Sequence, residues 1–529
     1  MFNKDIKFDN DAREELLMGI NTLANAVKVT FGPQGNCVVI ADVDKQPRVT
    51  KDGVSVAKEI QLDDPYKNVG AQLIKEAALK TVNAVGDATT TSTILAQELV
   101  NELNKQLSQG ESPIVLKQKL NNSLEQALVY IKSKTIPIED KDIENIATIS
   151  ANNDKEIGKL IGDAFKTIGR DGVITVEESP GIDTRVSISK GMQFDKGYVA
   201  QHFVTDYAKD VCVLDNPYIL ITDHKIQRLK DLQFVLSQVI TEGRSILLIA
   251  EDFDDSVVET LKLNKLNGTL KVCAIKAPSF GEYRETVLNS IAILTGGTFV
   301  SYESGLEISD VTIGMLGSCA KVTVTKDKTT IVGGNGDPNN INKEIELIRK
   351  TISDLNQDPS NEGSFVLKFY KELLAKLTGG IAVIYVGGVT DLERGERRDR
   401  VDDAVAATKA AIEEGVVLGG GLTYYYAGLS ILNDIPEEEQ SEALIDTLPK
   451  IIKLLIESTG EDPNEILIHI TEKIGFDANT KKCVDMYQAG IIDPAKAVRV
   501  ALENAVSVAN LFLSTQCVIV PILNNQIIM

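Results

Sequence analysis

The stretch Gly86-Asp87-Ala88-Thr89-Thr90-Thr91 sets a helix-breaking glycine and a carboxylate ahead of consecutive hydroxyls. At the start of a helix such a run offers phosphate the backbone N–H groups and the positive end of the dipole. Asp87 offers a hard oxygen to Mg2+ bridging phosphate oxygens. Two further turns carry related chemistry. Thr30-Phe31-Gly32-Pro33-Gln34-Gly35 ends a helix with glycines that let backbone approach a ligand closely, and Lys51-Asp52-Gly53 supplies a cation for phosphate and a carboxylate for a metal ion or water. Taken singly, each is more commonly an ordinary cap or turn. The chain has no G-x-x-x-x-G-K-[ST] and no strand-linked G-x-G-x-x-G, so P-loop and Rossmann sites are not indicated. His202, His224 and His469 never approach H-E-x-x-H, and the six cysteines form no C-x-x-C pair. Zinc hydrolysis and most His-based acid/base chemistry are thereby disfavoured. Hydrolysis on this chain should rest on carboxylates and a hard cation.

These turns need elements to hold them. From Asp11 to Val29 the residues Leu16, Leu17, Ile20, Leu23, Ala24 and Val27 recur at helical spacing, and Gly32-Pro33 stops the predicted helix. Short strands are predicted over Cys37 to Ile40 and Arg48 to Thr50, the second running into Lys51-Asp52-Gly53. A long helical pattern over Val69 to Val85 breaks at Gly86, and another continues through Ile94, Leu95, Leu99 and Leu103. Beyond Pro137, strand patterns at Val173 to Val176, Val186 to Ile188, Ile246 to Ile249 and Val272 to Ile275 interleave with helical ones such as Leu229 to Ile240. That alternation is an α/β signature. Helical patterns return over Val401 to Glu414 and Glu442 to Ser458, so a middle domain inserted between two halves of another is expected.

At roughly 150 residues per domain, 529 residues predict three or four domains. A hydrophobic share of 43%, a charged share of 25% and a mean hydropathy of -0.02 exclude the disordered and membrane classes. Lys and Arg number 55 against 76 Asp and Glu, and the resulting net charge of -21 disfavours nucleic acid as the main ligand. Met1 to Arg13 has no apolar h-region, and the longest apolar runs, such as Ile246 to Ala250, fall far short of membrane-spanning length. A cytoplasmic chain with no targeting segment and no membrane partner is expected, its dispersed cysteines being buried thiols in a reducing compartment.

The joint pattern is more specific than its parts. VKVTFGPQGN at 27–36, VTKDGVSVAKEI at 49–60, NVGAQLIKEAA at 68–78, GDATTTSTILAQ at 86–97, TISANND at 148–154, GMQFDKGY at 191–198, IAEDFDDSVVETL at 249–261, IKAPSFGEYR at 275–284, RVDDAVAATKAAIEEGVVLGGG at 400–421 and GIIDPAKAVRVAL at 490–502 together resemble the GroEL-type group I chaperonins. The resemblance runs in order from about Lys4 to Pro521.

It implies a multi-domain α and α/β fold. A mainly helical equatorial ATPase domain would come from both chain ends (1–134 and 414–529), a hinge domain from 135–190 and 380–413, and an inserted α/β apical client-binding domain from 191–379. By resemblance, ATP phosphates contact Thr30, Gly32, Pro33, Lys51, Ala88 and Thr89 to Thr91. Asp87 holds Mg2+, and Lys51 and Thr90 lie near K+. Ile149, Gly420, Asp477 and Ala478 line the nucleotide pocket, and Asp493 matches the family's ribose-binding carboxylate. Asp403 matches the carboxylate that swings in with the hinge domain to orient the attacking water, with Asp52 as its equatorial partner; read from spacing alone, it would be a solvated residue on an amphipathic helix. Gly191 and Gly379-Gly380 match the apical hinges. The resemblance also implies a closed homo-oligomeric ring, seven-fold, with a co-chaperonin lid and non-native client proteins. The client groove carries over to Tyr198, His202, Phe203, Gln233, Leu236, Val258, Lys262 and Leu263. Its apolar members are expected to form an exposed patch, and the polar ones to favour amphipathic clients or a dedicated co-chaperonin.

The chain departs from the family in three places. Ala88 replaces the middle glycine of G-D-G-T-T-T, bringing a Cβ toward the phosphates and strain if its φ is positive. Phe476-Asp477-Ala478 stands where the family has Tyr-Asn-Ala, so an ionised Asp477 only accepts hydrogen bonds from a base. The chain stops at Gln526-Ile527-Ile528-Met529 where a Gly/Met-rich repeat is usual, and any effect of such a tail on trapped clients is expected to be reduced. The leading expectation is an ATP-driven folding cage. The alternative is a chaperonin-shaped binding protein without productive ATP cycling; a phosphotransferase is disfavoured because no separate acceptor site is visible.

Overall fold

Helix ends in this chain follow its capping residues. Asp64 caps the helix Pro65–Val85 by accepting from the backbone N–H of Tyr66 and Lys67, and Gly86, in the left-handed region, closes it. The computed structural model describes residues 4–41, 47–170, 172–179, 181–207, 209–357 and 364–521. The terminal Gln526 to Met529, expected to lack a Gly/Met-rich repeat, lies outside the described residues. The chain forms two compact units, one from Met1–Lys166, Val176–Arg185 and Tyr385–Met529, the other from Thr167–Thr175 and Val186–Ile384.

The first unit is mainly helical. Its core is built from Leu16, Ile20, Leu23 and Val27 of the helix Asp9–Lys28 together with Ile74, Ile94, Leu99, Leu502 and Val506. The helices Asp9–Lys28 and Pro65–Val85 come into backbone contact through two glycines. A Cβ on Gly19 would stand 1.8 Å from the Lys67 carbonyl oxygen, and one on Gly70 would stand 2.1 Å from that of Leu16. An amide network holds the helices Asp9–Lys28 and Thr89–Ser108 in register: Gln97 Nε2 donates to Asn21 Oδ1 at 2.9 Å and Asn25 Oδ1 at 2.8 Å. The loops at the ends of these two helices are thereby fixed relative to each other. The helix Ala495–Ser514 is long and apolar enough to cross a membrane, but it is a core element with Leu502, Val506 and Phe512 buried. Residues near the two chain ends pair as antiparallel strands, Lys4–Phe8 with Cys517–Pro521.

The second unit is α/β. Strands Val272–Lys276, Ile246–Ala250 and Tyr218–Thr222 run parallel, followed in the sheet by Gly317–Val324, Thr329–Gly334 and Gly191–Phe194 in antiparallel pairing. Ile246 to Ala250 is fully buried, which explains its unbroken apolar run.

Two expected helices differ. The pattern over Glu442 to Ser458 is two helices, Glu442–Thr447 and Lys450–Ser458, because Pro449 between them lacks the N–H that a continuous helix requires. The helix expected from Val401 begins ten residues earlier, at Asp391, its first turns carrying ion pairs such as Arg400 with Glu396 at 2.9 Å instead of an apolar stripe.

Gly70→Ala tests the close helix crossing. Helix propensity alone favours alanine by about 1 kcal/mol, whereas the backbone overlap predicts a net loss of about 2 kcal/mol, read as a lower urea midpoint at unchanged slope.

Candidate functional site

Gly86 and Ala88 both adopt left-handed backbone, with φ of 73° and 64°. They turn the chain from the helix Pro65–Val85 into Thr89–Ser108, and no side chain caps the N-terminus of that second helix. Its first backbone donors therefore meet a cavity of about 340 Å3 that Thr89, Thr90 and Thr91 also line. For alanine this backbone costs on the order of 1 kcal/mol. Its methyl packs against the apolar group Val85, Ala410, Ala497 and Val500, a neighbour that offsets part of the strain.

The other two sequence turns reach the same cavity. Thr30 Oγ1 lies 3.3 Å from Thr90 Oγ1, and a Cβ on Gly53 would stand 2.3 Å from that Thr90 oxygen, so only glycine leaves the threonine in place. Asp52 caps the short helix Gly53–Glu59, accepting from Val54 N and Ser55 N at 3.0 Å each, and also lines the cavity. One side chain thus both caps a helix and lines the cavity.

Asp403 arrives on the helix Asp391–Glu414. That helix comes close because position 86 has no side chain: a Cβ there would lie 2.0 Å from the Ala406 Cβ. Arg400, one turn before Asp403, donates to Asp154 at 3.2 Å and Glu396 at 2.9 Å. Burial, then the nearby carboxylates of Asp52, Asp87, Asp402 and Asp399, push the Asp403 carboxyl well above the usual carboxylate range. Burial also raises Asp87, against the opposing hydrogen bonds from Ala88 N–H and the Ser150 hydroxyl. Asp493 is pushed up to about 7 by burial and by Asp87. Among the described residues no three His, Cys, Asp or Glu side chains are grouped to chelate a metal by themselves. A hard cation here would be held by a carboxylate together with ligand oxygens, which is the usual manner of Mg2+.

Opposite the carboxylates the wall is apolar, with Ile149, Tyr424, Ile451, Leu455, Phe476, Ala478 and Val498. The pairing of Val416–Leu418 with Ile492–Pro494 sets Asp493 beside Gly419, where a Cβ would stand 3.0 Å from its Oδ1, and both Asp493 and Gly420 line the cavity. Asp477 lines the wall, but its oxygens accept from Asn479 N at 2.9 Å and Thr480 Oγ1 at 2.6 Å, so the carboxylate caps its own turn. The cavity thus gathers Thr30, Gly32, Pro33, Lys51, Asp52, Asp87, Ala88, Thr89, Thr90, Thr91, Ile149, Asp403, Gly420, Asp477, Ala478 and Asp493. Sequence reasoning missed Gly53, Ser150, Asn152, Asn153, Glu396, Asp399 and Arg400, which also line it. Helical spacing back from Asp403 was a usable signal for the last three.

The expected groove residues lie in the second unit and divide by exposure. His202, Gln233 and Leu263 are exposed, while Tyr198, Val258 and Lys262 are half-buried. Phe203 and Leu236, expected on an exposed patch, are core residues instead, at 0% and 6% exposure. Leu236 falls on the inner face of the helix Gln233–Thr241 with Val235 and Val239, which turns Phe234 outward at 60% exposure. Leu266, one turn beyond Lys262, is also open at 57%.

The sequence profile of the TCP-1/cpn60 chaperonin family matches residues 23–522. The fold is similar to that of the chaperonin gp146 from the bacteriophage EL 2 (Pseudomonas aeruginosa), solved in two crystal forms in the presence of ATP-BeFx. Crystal form II superposes with a TM-score of 0.70 at 21% identity, over 98% of this chain and 99% of that one. Crystal form I gives 0.64 at 20% identity over the same shares.

Two measurements follow from the geometry. A carboxyl whose folded pKa is raised binds a proton in the folded state that the unfolded chain has released. Its stabilisation is therefore complete below about pH 4 and is lost as pH rises through the folded pKa, near 7 for Asp493. Asp403→Asn should raise the melting temperature of the ligand-free protein at pH 8, have little effect at pH 4, and flatten the slope between; an unchanged slope would remove Asp403 from the cluster. In the second unit, Leu236→Glu should lower stability by several kcal/mol, whereas Phe234→Glu and Leu263→Glu leave it within about 0.5 kcal/mol, as urea unfolding would show.

Proposed function

The chain belongs to the TCP-1/cpn60 chaperonin family, and we propose that it is an ATP-driven folding cage. In this reading it captures non-native proteins on its α/β unit and encloses them in a ring of copies, timed by hydrolysis in its helical unit. The observation that carries the reading is Asp403, standing with Asp52 and Asp87 in a cavity where the Thr89–Ser108 helix presents uncapped N–H groups. Phosphate oxygens would take those donors and the hydroxyls of Thr89 to Thr91, with Lys51 as the nearby cation. The base would lie on the apolar wall and the ribose near Asp493. Asp87 is the carboxylate suited to Mg2+, which when bound neutralises developing phosphate charge. Lys51 and Thr90 would flank K+. Asp403 accepts a hydrogen bond from the attacking water and orients it. Its raised pKa is an apo property, because added positive charge returns a carboxyl to its ionised form.

The five-segment division fits this reading, with a hinge domain from 135–190 and 380–413 and pivots at Gly191 and Gly379-Gly380. So does a seven-fold ring in the cytoplasm that is closed by a co-chaperonin lid. The client surface is drawn from the exposed Phe234, Leu263 and Leu266, flanked by the half-buried Tyr198, Val258 and Lys262. The polar His202 and Gln233 beside it favour amphipathic clients.

Steady-state ATPase without an added acceptor, paired with refolding of a denatured test protein, tests the proposal. Asp403→Ala should retain ATP binding and lose about 100-fold or more in turnover. Refolding should depend on ATP and be lost in that variant. Capture of the denatured protein without ATP-dependent release would establish the binding-only alternative, and undiminished turnover in Asp403→Ala would overturn the catalytic assignment.

A further inference from the structure

Three positions on one face of the helix Asp391–Glu414 meet the loop around Gly86 in register. Asp403 enters the cavity, Ala406 lies over Gly86, and Ala410 joins the apolar group against which the Ala88 methyl packs. The spacing 403, 406, 410 is that of residues i, i+3 and i+7 on one side of a helix. From sequence, the Ala88 side chain was expected to crowd a bound phosphate; in the fold Ala88 lines the cavity and also packs against the apolar group of Val85, Ala410, Ala497 and Val500.

We propose that Ala88 is a positioning residue whose methyl, seated against Ala410 and Ala497, holds the helix Asp391–Glu414 docked so that Asp403 stands in the cavity before any ligand arrives. The proposal builds on the ATPase reading, although the docking contact itself does not require it. Docking is opposed by charge, since it carries Asp403 toward Asp52 and Asp87. The Arg400 ion pair with Asp154 lies within the proposed hinge domain, so it travels with the helix and leaves docking to the apolar seat. The apolar seat is insensitive to salt and acts at the other end of the same helix face.

The left-handed backbone at position 88 belongs to the loop whether or not the helix is docked, but the half-buried methyl shares an apolar group with Ala410 only when it is. Ala88→Gly therefore relieves strain in both arrangements and removes packing from one. The packing of a single methyl shifts the docked-to-undocked ratio by about fourfold.

Hydrogen exchange in the ligand-free protein, followed on peptides covering 397–410, reads this equilibrium directly. In Ala88→Gly, exchange there should quicken about fourfold, and ATP turnover should fall by up to that factor, while the melting temperature holds or rises. A purely structural role would move turnover and melting temperature together. Ala88→Ser, which keeps a Cβ, should exchange at close to the parent rate. Parent-like exchange in Ala88→Gly, or faster turnover, overturns the proposal. Should the parent protein lack ATPase activity, the functional reading falls, and the exchange comparison still decides the seat.

Discussion

Everything in the helical unit answers to one close approach: the helix Asp391–Glu414 lying on the loop at Gly86, near enough that a side chain there would overlap Ala406. A carboxylate reaches from one secondary element into the cavity of another only if their backbones nearly touch, and Asp has a short side chain. The same proximity buries Asp403 and brings it near like charges, and burial first, then Asp52 and Asp87, pushes its carboxyl well above the usual range. Small residues along the contact hold what electrostatics would separate. The fold therefore carries a built-in tension at the place where its chemistry would occur.

Other parts of the unit serve that geometry. Gly19 and Gly70 bring two helices into backbone contact, and the amide network around Gln97 sets the Thr30 turn and the Thr89 helix start at fixed spacing. Lengthening either contact by the thickness of a methyl would move Thr30 away from Thr90. Precision at the cavity is thus supplied well away from it.

What could be read from the sequence follows from how local each cause is. Long helices with an apolar stripe, the α/β middle and the three polar turns were legible, because periodicity and turn residues act within a few positions. The start of the Asp391 helix was not, since DLERGERRDR carries no stripe and is held by ion pairs to other elements such as Arg398 with Glu178 at 2.7 Å. Phe234 and Leu236 are two positions apart and both apolar, and which one faces the core depends on how their helix is rotated against the sheet. The Ala88 methyl packs against a group that includes Ala410, Ala497 and Val500, residues more than 300 positions away. A substitution at that loop cannot be judged from its immediate neighbours.

The antiparallel pair Lys4–Phe8 with Cys517–Pro521 has a bearing on the order of biosynthesis. Residues at the start of the chain wait for partners at its far end, and the helix Ala495–Ser514, central to the core of the first unit, is also among the last to emerge. The α/β unit, by contrast, is complete once Ile384 has been made. Vectorial synthesis therefore lets the inserted unit fold first, while the N-terminal helices remain without their core, exposed for the time taken to translate the remaining chain. Closing the chain between Lys4 and Pro521 spans most of its sequence, so assembly of the helical unit is expected to be the slow step of its folding.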